Sequence, residues 1–552
     1  MRFSSQLVSL LVVVSLVVAW FAPQAGARFL EPIEQFGAHL ANRKLLTIVV
    51  VGIAPALIRV CLLGIWPVPI PIVHDEFSYL LAADTIAHGR LTNPPHPMWI
   101  YFETMHVNQH PTYMSKYPPA QGAILAVGQL LGNPWIGIVL SVALMCGAIV
   151  WMLQGWLPPQ WALVGGILAS SRLGVSGYWM NSYWGGAVAA IGGALVVGAV
   201  PRIMRFHRGQ DAAFLGLGAG ILANSRPFEG IIFCVPVFVT IMIWLCGHRS
   251  PPWRETAPRI ILPVFAVLAL TVIFMGYYNW RGTGDPLLFP YTLNSRTYMS
   301  APELIWEKGK APLRYFNPQF ESFYTTGWSR QTAFAGKANS IPKALRVVWS
   351  DVRIYGRFFL WVELCVPLLA LPWVLTDRRV RFLVFQFGFC LLAFLLVDWF
   401  QPHYAAPLTA GTFALLTQGM RHLRRWRWIN RTTGIGLTRV IVLCALVLAP
   451  FHRFYLDVQP QLVNRSRVET QLTAMPGNHL VVVRYSSQHN PLLEWVYNRA
   501  DIDRARVVWA REIPGVSLEP LLNYYRGRDV WLVEADSPTP DPVPYDLSLH
   551  DR

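Results

Sequence analysis

Runs of about 20 apolar residues recur along most of the chain and limit its possible folds more than any other feature. A helix that crosses a membrane needs about 20 mostly apolar residues. Hydrophobic residues make up 54% of the chain and charged residues only 14%, which excludes a soluble globular protein. About twelve spanning helices are predicted, near residues 6 to 22, 45 to 66, 134 to 154, 159 to 176, 184 to 200, 212 to 224, 229 to 247, 259 to 278, 357 to 375, 381 to 398, 403 to 420 and 435 to 451.

The basic residues predict which loops lie on which side of the membrane. The net charge of +16 is spread over short loops instead of forming one basic stripe, so no nucleic-acid partner is predicted. Cytoplasmic loops are enriched in Lys and Arg, which assigns the clusters at 28–44, 202–208, 249–259, 378–381 and 421–431 to the cytoplasm. The long loops 67–133 and 277–353, the turn at Arg226 and everything after Phe451 are then predicted to face outward.

The chain divides into three predicted parts. Residues 1–44 hold an extra N-terminal membrane helix and a linker. Its Ala25-Gly26-Ala27 ending is also typical of a signal peptide, but an uncleaved helix is favoured because it keeps the loop after residue 66 outside. Residues 45–451 form the membrane core. Residues 452–552 have mixed charge and strand-like runs, which predict a small extracytoplasmic α/β domain.

Cysteine and histidine spacing gives little support for a metal site. All seven cysteines lie within apolar runs and none has C-x-x-C spacing, so no disulfide or zinc site is predicted. His106 and His110 are four residues apart, but Pro111 argues against a shared helical face. We predict no metal site and no cofactor; a divalent cation is compatible with the sequence but not indicated by it.

The motif His74-Asp75-Glu76 places two adjacent carboxylates where the run 45 to 66 ends. Ionisable groups near the membrane are costly and usually functional. Asp75, Glu76 and Tyr79 share one face if this segment is an interfacial helix. A carboxylate there suits a general base, so Asp75 and Glu76 are the predicted catalytic residues. The alternative is a solvated helix N-terminus, where acidic residues favour the helix dipole.

Other polar residues of the outer segments are candidate contacts for a substrate. Lys116 and Tyr117 precede Pro118-Pro119, and a lysine held by rigid prolines is suited to binding a phosphate. The alternative is that its side chain simply extends to the membrane interface, as is common at helix ends. The remaining candidates interrupt apolar stretches, and each also has a structural explanation as an aromatic belt, an ion pair or an interfacial histidine. They are Asn181, Tyr183 and Trp184 for a sugar or acceptor, and Arg226, His403 and Tyr404 for a phosphate.

These motifs resemble those of the GT-C membrane glycosyltransferases, especially the protein-mannosyltransferase and aminoarabinose-transferase branch. The resemblance rests on Asp-Glu opening a long first outer loop, a Tyr four residues after the Asp, a later Lys near Pro-Pro, the aromatic segment and a His-Tyr before a late span. It implies an inverting transfer of a sugar from a polyprenyl-phosphate donor, with Asp75 as the general base. It also implies that Lys116, Arg226 and His403 or Tyr404 stabilise the leaving phosphate, with Tyr79 positioning them.

Two alternatives remain open from the sequence. Twelve spans with internal charges also fit a lipid or solute transporter, although no internal repeat is visible. A transferase that uses a lipid diphosphate is the second alternative. For the favoured interpretation the partners are a polyprenyl-phosphate sugar, a lipid, glycan or protein acceptor, and membrane lipids, at the extracytoplasmic face of a bacterial inner membrane.

Overall fold

The computed structural model describes residues 5–247, 250–301, 304, 313–321, 323–324, 341–397, 400–428, 431–448 and 460–545. Most of these residues are helical, as expected for a polytopic helical membrane protein. Within these residues, five helices are long and apolar enough to cross a membrane, which makes the chain an integral membrane protein. They are Lys44–Cys61, Pro134–Trp156, Gly186–Phe206, Pro227–Leu245 and Trp253–Thr283.

The expected count of twelve spans is not confirmed in the described part of the chain. A sixth candidate is broken, because Leu345–Phe359 and Val362–Thr376 meet at 112° where one continuous span was expected near 357 to 375. Other predicted spans are shorter helices, below the roughly 20 residues that a membrane requires. These are Ser5–Phe21, Pro159–Leu173, Gly209–Ala223, Arg381–Phe394, Thr409–Leu423 and Thr433–Leu448.

The outer segments also contain helices. The helix His74–Ala87, called the loop helix below, is the first of the long loop 67–133. A two-stranded antiparallel pair, Val107–Asn108 with Met114–Ser115, follows it. The other helices outside the apolar runs include Ala27–Asn42, Trp99–Phe102, Pro119–Leu130, Pro290–Tyr298, Pro318–Glu321, Pro460–Ala474 and Glu519–Tyr524, whereas Ile341–Phe359 contains the first half of the broken candidate span.

Glycines bring the helix Pro119–Leu130 into close contact with the membrane helix Pro134–Trp156. A Cβ atom on Gly137 would lie only 2.1 Å from the carbonyl oxygen of Ile124, and one on Gly128 only 2.3 Å from the backbone nitrogen of Gly137. Small residues at such crossings let two helix backbones approach. The contact fixes the position of the helix that begins directly after Lys116 and Tyr117.

The C-terminal sheet has four strands, of which three are parallel. The strand His479–Arg484 lies between Val507–Arg511 and Asp529–Glu534, and the short strand Val543–Pro544 pairs antiparallel at the edge. Buried parallel strands are apolar on both faces, and both faces are covered here. Leu480 and Val482 pack against the first outer loop, and Val481 and Val483 against the helix Pro460–Ala474.

Candidate active site at the start of the loop helix

Glu76 closes the N-terminal end of the loop helix. Its Oε2 atom accepts hydrogen bonds from the backbone N–H groups of Ile72, at 2.8 Å, and Val73, at 3.1 Å. Its Oε1 atom accepts one from the N–H of Tyr183 at 2.9 Å. The side chain is buried, and burial raises its pKa to about 7 although the three backbone N–H groups act in the opposite direction. Both carboxylate oxygens are therefore engaged in holding the segment after residue 71 against the loop around Tyr183.

Replacing Glu76 with glutamine is expected to destabilise the protein by about 1–3 kcal/mol at about pH 5, because the amide NH2 group would face backbone donors that lose their acceptor. Thermal unfolding of the detergent-solubilised protein measures this. Asp75→Asn is the matched control on the neighbouring carboxylate and should leave the melting temperature unchanged. Equal melting temperatures for Glu76→Gln and the wild type would contradict the structural role of Glu76.

The stabilising effect of Glu76 should also depend on pH. The pKa of Glu76 is about 7 in the folded protein, against an ordinary value of 4.5. The unfolded chain thus releases this proton at lower pH, so stability from this group falls as pH rises from about 4.5 to about 7. The difference in melting temperature between the wild type and Glu76→Gln should shrink across this window. A constant difference would mean that Glu76 does not titrate there.

Asp75 points away from these backbone contacts. Its side chain remains 24% exposed, and its Oδ1 atom accepts a hydrogen bond from the hydroxyl of Tyr117. Burial, together with the charge of Asp75, raises the pKa of Tyr117 well above its usual value, so this hydroxyl stays protonated and donates. The ring of Tyr79 stacks on that of Tyr117 with 4.5 Å between centroids. Asp75 is thus the carboxylate that is held in place and still reachable.

Lys116 lies on the other side of Tyr117. Its ammonium group is 5.2 Å from the centre of the Tyr117 ring and 4.8 Å from that of Tyr291. The residue is buried and lines a narrow cleft, whose other walls include Pro118, Asn224 and Tyr278. A buried ammonium group between two aromatic faces attracts an anion strongly, because little water screens its charge.

Arg226, His403 and Tyr404 form a second group of polar side chains near Asp75. The guanidinium group of Arg226 lies 4.7 Å from the centre of the Tyr404 ring, and 3.9 Å separates its Nη1 atom from Oε1 of Glu229. The charges of both Arg226 and Asp75 affect the pKa of His403, which burial holds well below its usual value. His403 is consequently neutral at pH 7, and its Nδ1 atom lies 3.0 Å from the hydroxyl of Tyr178.

The three residues predicted to contact a sugar lie in different surroundings. Asn181 accepts a hydrogen bond from Nε of Arg59 at 2.8 Å and donates to two backbone carbonyls, so its amide is fully engaged within the protein. The hydroxyl of Tyr183 donates to the carbonyl of Pro69 at 3.0 Å. Of these three residues, only Trp184 faces the group of Arg226, His403 and Tyr404. Its ring centre lies 5.0 Å from that of His403.

Arg59 is a structural residue whose contacts the sequence analysis did not identify. It is buried at the end of the membrane helix Lys44–Cys61 and donates to the carbonyls of Trp66 at 2.8 Å and Pro67 at 2.9 Å as well as to Asn181. Its guanidinium group also stacks on Trp135. Arg59 is one of the internal charges that kept the transporter alternative open, and such charges rarely persist without partners.

His106 and His110, whose spacing did not predict a shared metal site, lie in different surroundings. His110 is exposed, whereas His106 lies beside the loop helix, with 5.4 Å between the ring centres of His106 and His74. The Nε2 atom of His106 is 4.0 Å from Oδ2 of Asp75. His74 and His106 are 32 positions apart in the numbering, so no local motif links them.

Comparison with known proteins gives a fold but no sequence relative. No protein-family model matches the chain, and no curated protein matches it in sequence. ArnT from Cupriavidus metallidurans bound to undecaprenyl phosphate superposes with a TM-score of 0.50 at 13% identity, over 88% of this chain and 92% of that chain. An Archaeoglobus fulgidus oligosaccharyltransferase complex with an inhibitory peptide and a dolichol-phosphate gives 0.43 at 12% identity, over 90% and 70%. The mycobacterial arabinofuranosyltransferase AftD gives 0.32 at 12% identity, over 83% and 34%.

The superposition on ArnT identifies the fold. The chain has the fold of the GT-C membrane glycosyltransferases, as the sequence motifs indicated.

Proposed function

We propose that this protein is a membrane glycosyltransferase that moves a sugar from a polyprenyl-phosphate donor to a hydroxyl acceptor, with inversion at the anomeric carbon. The observation that supports this most strongly is the position of Asp75. It is a reachable carboxylate held by the hydroxyl of Tyr117, whose ring also contacts the Lys116 ammonium, and it lies near the group of Arg226, His403 and Tyr404.

Asp75 acts as the general base in this proposal. The acceptor oxygen attacks the anomeric carbon and forms the new glycosidic bond, while the bond from that carbon to the phosphate oxygen breaks. The acceptor proton passes to Asp75, and the polyprenyl phosphate leaves with the bonding electron pair. A phosphate is a good leaving group once its charge is stabilised, so the reaction needs one base and no general acid. Glu76, which was a second catalytic candidate, positions the loop helix instead.

Lys116, Arg226 and His403 supply the positive charge and hydrogen bonds for the departing phosphate. A neutral His403 that accepts the Tyr178 hydroxyl at Nδ1 carries its proton on Nε2 and can donate from there. Tyr404 holds the Arg226 guanidinium against its ring, and Tyr79 supports Tyr117. Trp184 offers an aromatic face for the sugar, whereas Asn181 and Tyr183 hold the loop that carries it.

Location and acceptor complete the proposal. The active site and the C-terminal sheet lie at the extracytoplasmic face of a bacterial inner membrane, because the Lys- and Arg-rich loops are assigned to the cytoplasmic side. The acceptor is a lipid, glycan or protein with a free hydroxyl. The structure of ArnT from Cupriavidus metallidurans contains undecaprenyl phosphate, and that of the Archaeoglobus fulgidus oligosaccharyltransferase contains a dolichol-phosphate. This supports a polyprenyl carrier here.

A donor panel tests this function. The purified protein in liposomes would be given radiolabelled sugars on polyprenyl monophosphate or diphosphate, together with a membrane extract as a source of acceptors. Transfer from a monophosphate donor is expected. Transfer from the diphosphate donors alone would replace the proposal with a lipid-diphosphate transferase, and movement of intact donor across the bilayer without transfer would indicate a transporter.

Replacing Lys116 with alanine should weaken binding of the donor about 10- to 100-fold, since hydrogen bonds to charged groups contribute about 1.5–3 kcal/mol. Binding of a polyprenyl-phosphate sugar to the detergent-solubilised protein measures the effect. Arg296→Ala is the matched control, because it removes an exposed cation from the helix Pro290–Tyr298. Unchanged donor affinity in Lys116→Ala would remove this residue from the phosphate site.

A further inference from the structure

His74, Asp75 and His106 bring three metal-ligating groups together at the start of the loop helix. Their ligand atoms all lie within 4.8 Å of one another. The three groups come from two segments of the first outer loop, because His74 and Asp75 open the loop helix while His106 precedes the strand Val107–Asn108. Two imidazoles and one carboxylate form a common ligand set for zinc and other divalent transition metals.

His106 has hydrogen-bonding capacity that the protein does not use. Its side chain is buried, and its Nδ1 atom has no hydrogen-bond partner among the described residues. Its Nε2 atom lies 4.0 Å from Asp75, too far for a hydrogen bond. Buried polar atoms normally have a partner, so this imidazole is missing one. The backbone of His106 is nevertheless fixed. Its carbonyl accepts hydrogen bonds from the Ser78 hydroxyl at 2.7 Å and from the Lys116 N–H at 3.1 Å.

His74 is oriented as a metal ligand would be. Its Nε2 atom donates to the carbonyl of Pro491 at 3.0 Å, which leaves the Nδ1 lone pair for the site. Histidine ligands of metals almost always donate their other ring nitrogen to such an acceptor.

We propose that this protein binds one divalent transition-metal ion, with Zn²⁺ as the best fit, through His74, Asp75 and His106. Four-coordinate zinc with bonds of about 2.0 Å places its ligands about 3.3 Å apart. The three groups must therefore move inward by about 1 Å on binding. Three protein ligands leave a coordination position open for a substrate oxygen.

The role of the ion rests on the proposed glycosyl transfer, whereas its binding does not. A Lewis acid at this position lowers the pKa of an acceptor hydroxyl and so assists proton transfer to the carboxylate. The two oxygens of Asp75 face different groups, which makes Oδ2 the oxygen that would bind the ion. Oδ1 accepts from Tyr117, and Oδ2 faces His106.

The test uses the full-length protein in detergent, stripped with a chelator and dialysed. Titration with Co²⁺ should produce a visible absorption band that saturates at one equivalent, and Zn²⁺ should displace it. His106→Asn should weaken Co²⁺ and Zn²⁺ binding at least tenfold. His110→Asn, which changes an exposed histidine of the same loop, should bind like the wild type. Asp75→Asn serves as a second ligand variant, in case His106→Asn fails to fold.

The outcomes separate this inference from the proposed function. Absence of saturable binding to the wild type, or equal binding by the wild type, His106→Asn and Asp75→Asn, would overturn the metal site. Sugar transfer by the metal-free wild type at the full rate would overturn the role of the ion and leave the glycosyltransferase intact. Stoichiometric Zn²⁺ binding that His106→Asn weakens would support the metal site even if no donor were used.

Discussion

Asp75→Asn is expected to lower the rate of sugar transfer about 10²- to 10⁴-fold, the usual contribution of a general base. Asparagine has nearly the same shape, and its carbonyl oxygen can still accept the hydrogen bond from Tyr117, so the loop helix should stay in place. It cannot take the proton from the acceptor at neutral pH. Initial rates with a saturating polyprenyl-phosphate sugar, and the melting temperature of each protein, measure the two effects.

Glu76, the neighbouring carboxylate, provides a control in which stability changes before turnover does. Asp75→Asn should reduce turnover at an unchanged melting temperature, whereas Glu76→Gln should reduce the melting temperature first. Equal turnover by Asp75→Asn and the wild type would reject Asp75 as the base. A shared loss of stability in both variants would show that the two carboxylates act together in holding the loop helix.

Glu494→Ala is expected to destabilise the protein by about 3–5 kcal/mol, because it leaves the Arg511 guanidinium as an unpaired buried charge. Both side chains are completely buried and form an ion pair beneath the carboxyl ends of the parallel strands. Burial alone would raise the pKa of Glu494, but Arg511 and the Tyr485 hydroxyl more than offset this and hold the pKa below its usual value. Thermal or denaturant unfolding in detergent measures the loss.

Two comparisons make this prediction specific. Asp541→Ala breaks an exposed ion pair with Arg467 in the same part of the chain and should cost no more than about 1 kcal/mol. The double change Glu494→Leu with Arg511→Met should recover most of the stability, because it removes both buried charges. An equal loss from Glu494→Ala and Asp541→Ala would show that the buried pair contributes no more than a surface pair.

The sequence predicted the class of fold and named the segments that form the candidate site, because both depend on local patterns. Apolar run length indicated a helical membrane protein, and charged or aromatic residues beside the runs indicated Asp75, Lys116, Arg226 and His403. The number of spans was less predictable. Run length cannot show where a helix breaks, as at 112° between Phe359 and Val362, or where a helix is only 15 residues long.

The roles of adjacent residues could not be predicted from their spacing. Asp75 and Glu76 are neighbours in sequence and chemically alike, but Glu76 is held by the N–H of Tyr183, which lies 107 residues away. Asn181 was predicted to contact a sugar, and its amide oxygen accepts a hydrogen bond from Arg59, which lies 122 residues away. Long-range contacts of this kind decide which polar side chain is left for chemistry.

The connection between the loop helix and the C-terminal sheet has a consequence for biosynthesis. The carbonyl of Pro491 fixes His74, and the N–H of Ala500 donates at 2.8 Å to Asp84 in the same helix. A chain is made from its N-terminus and folds in that order, so the residues up to Ala500 must be synthesised before this helix gains its final supports. Early segments of the nascent protein are therefore already being inserted while the loop helix is still incomplete.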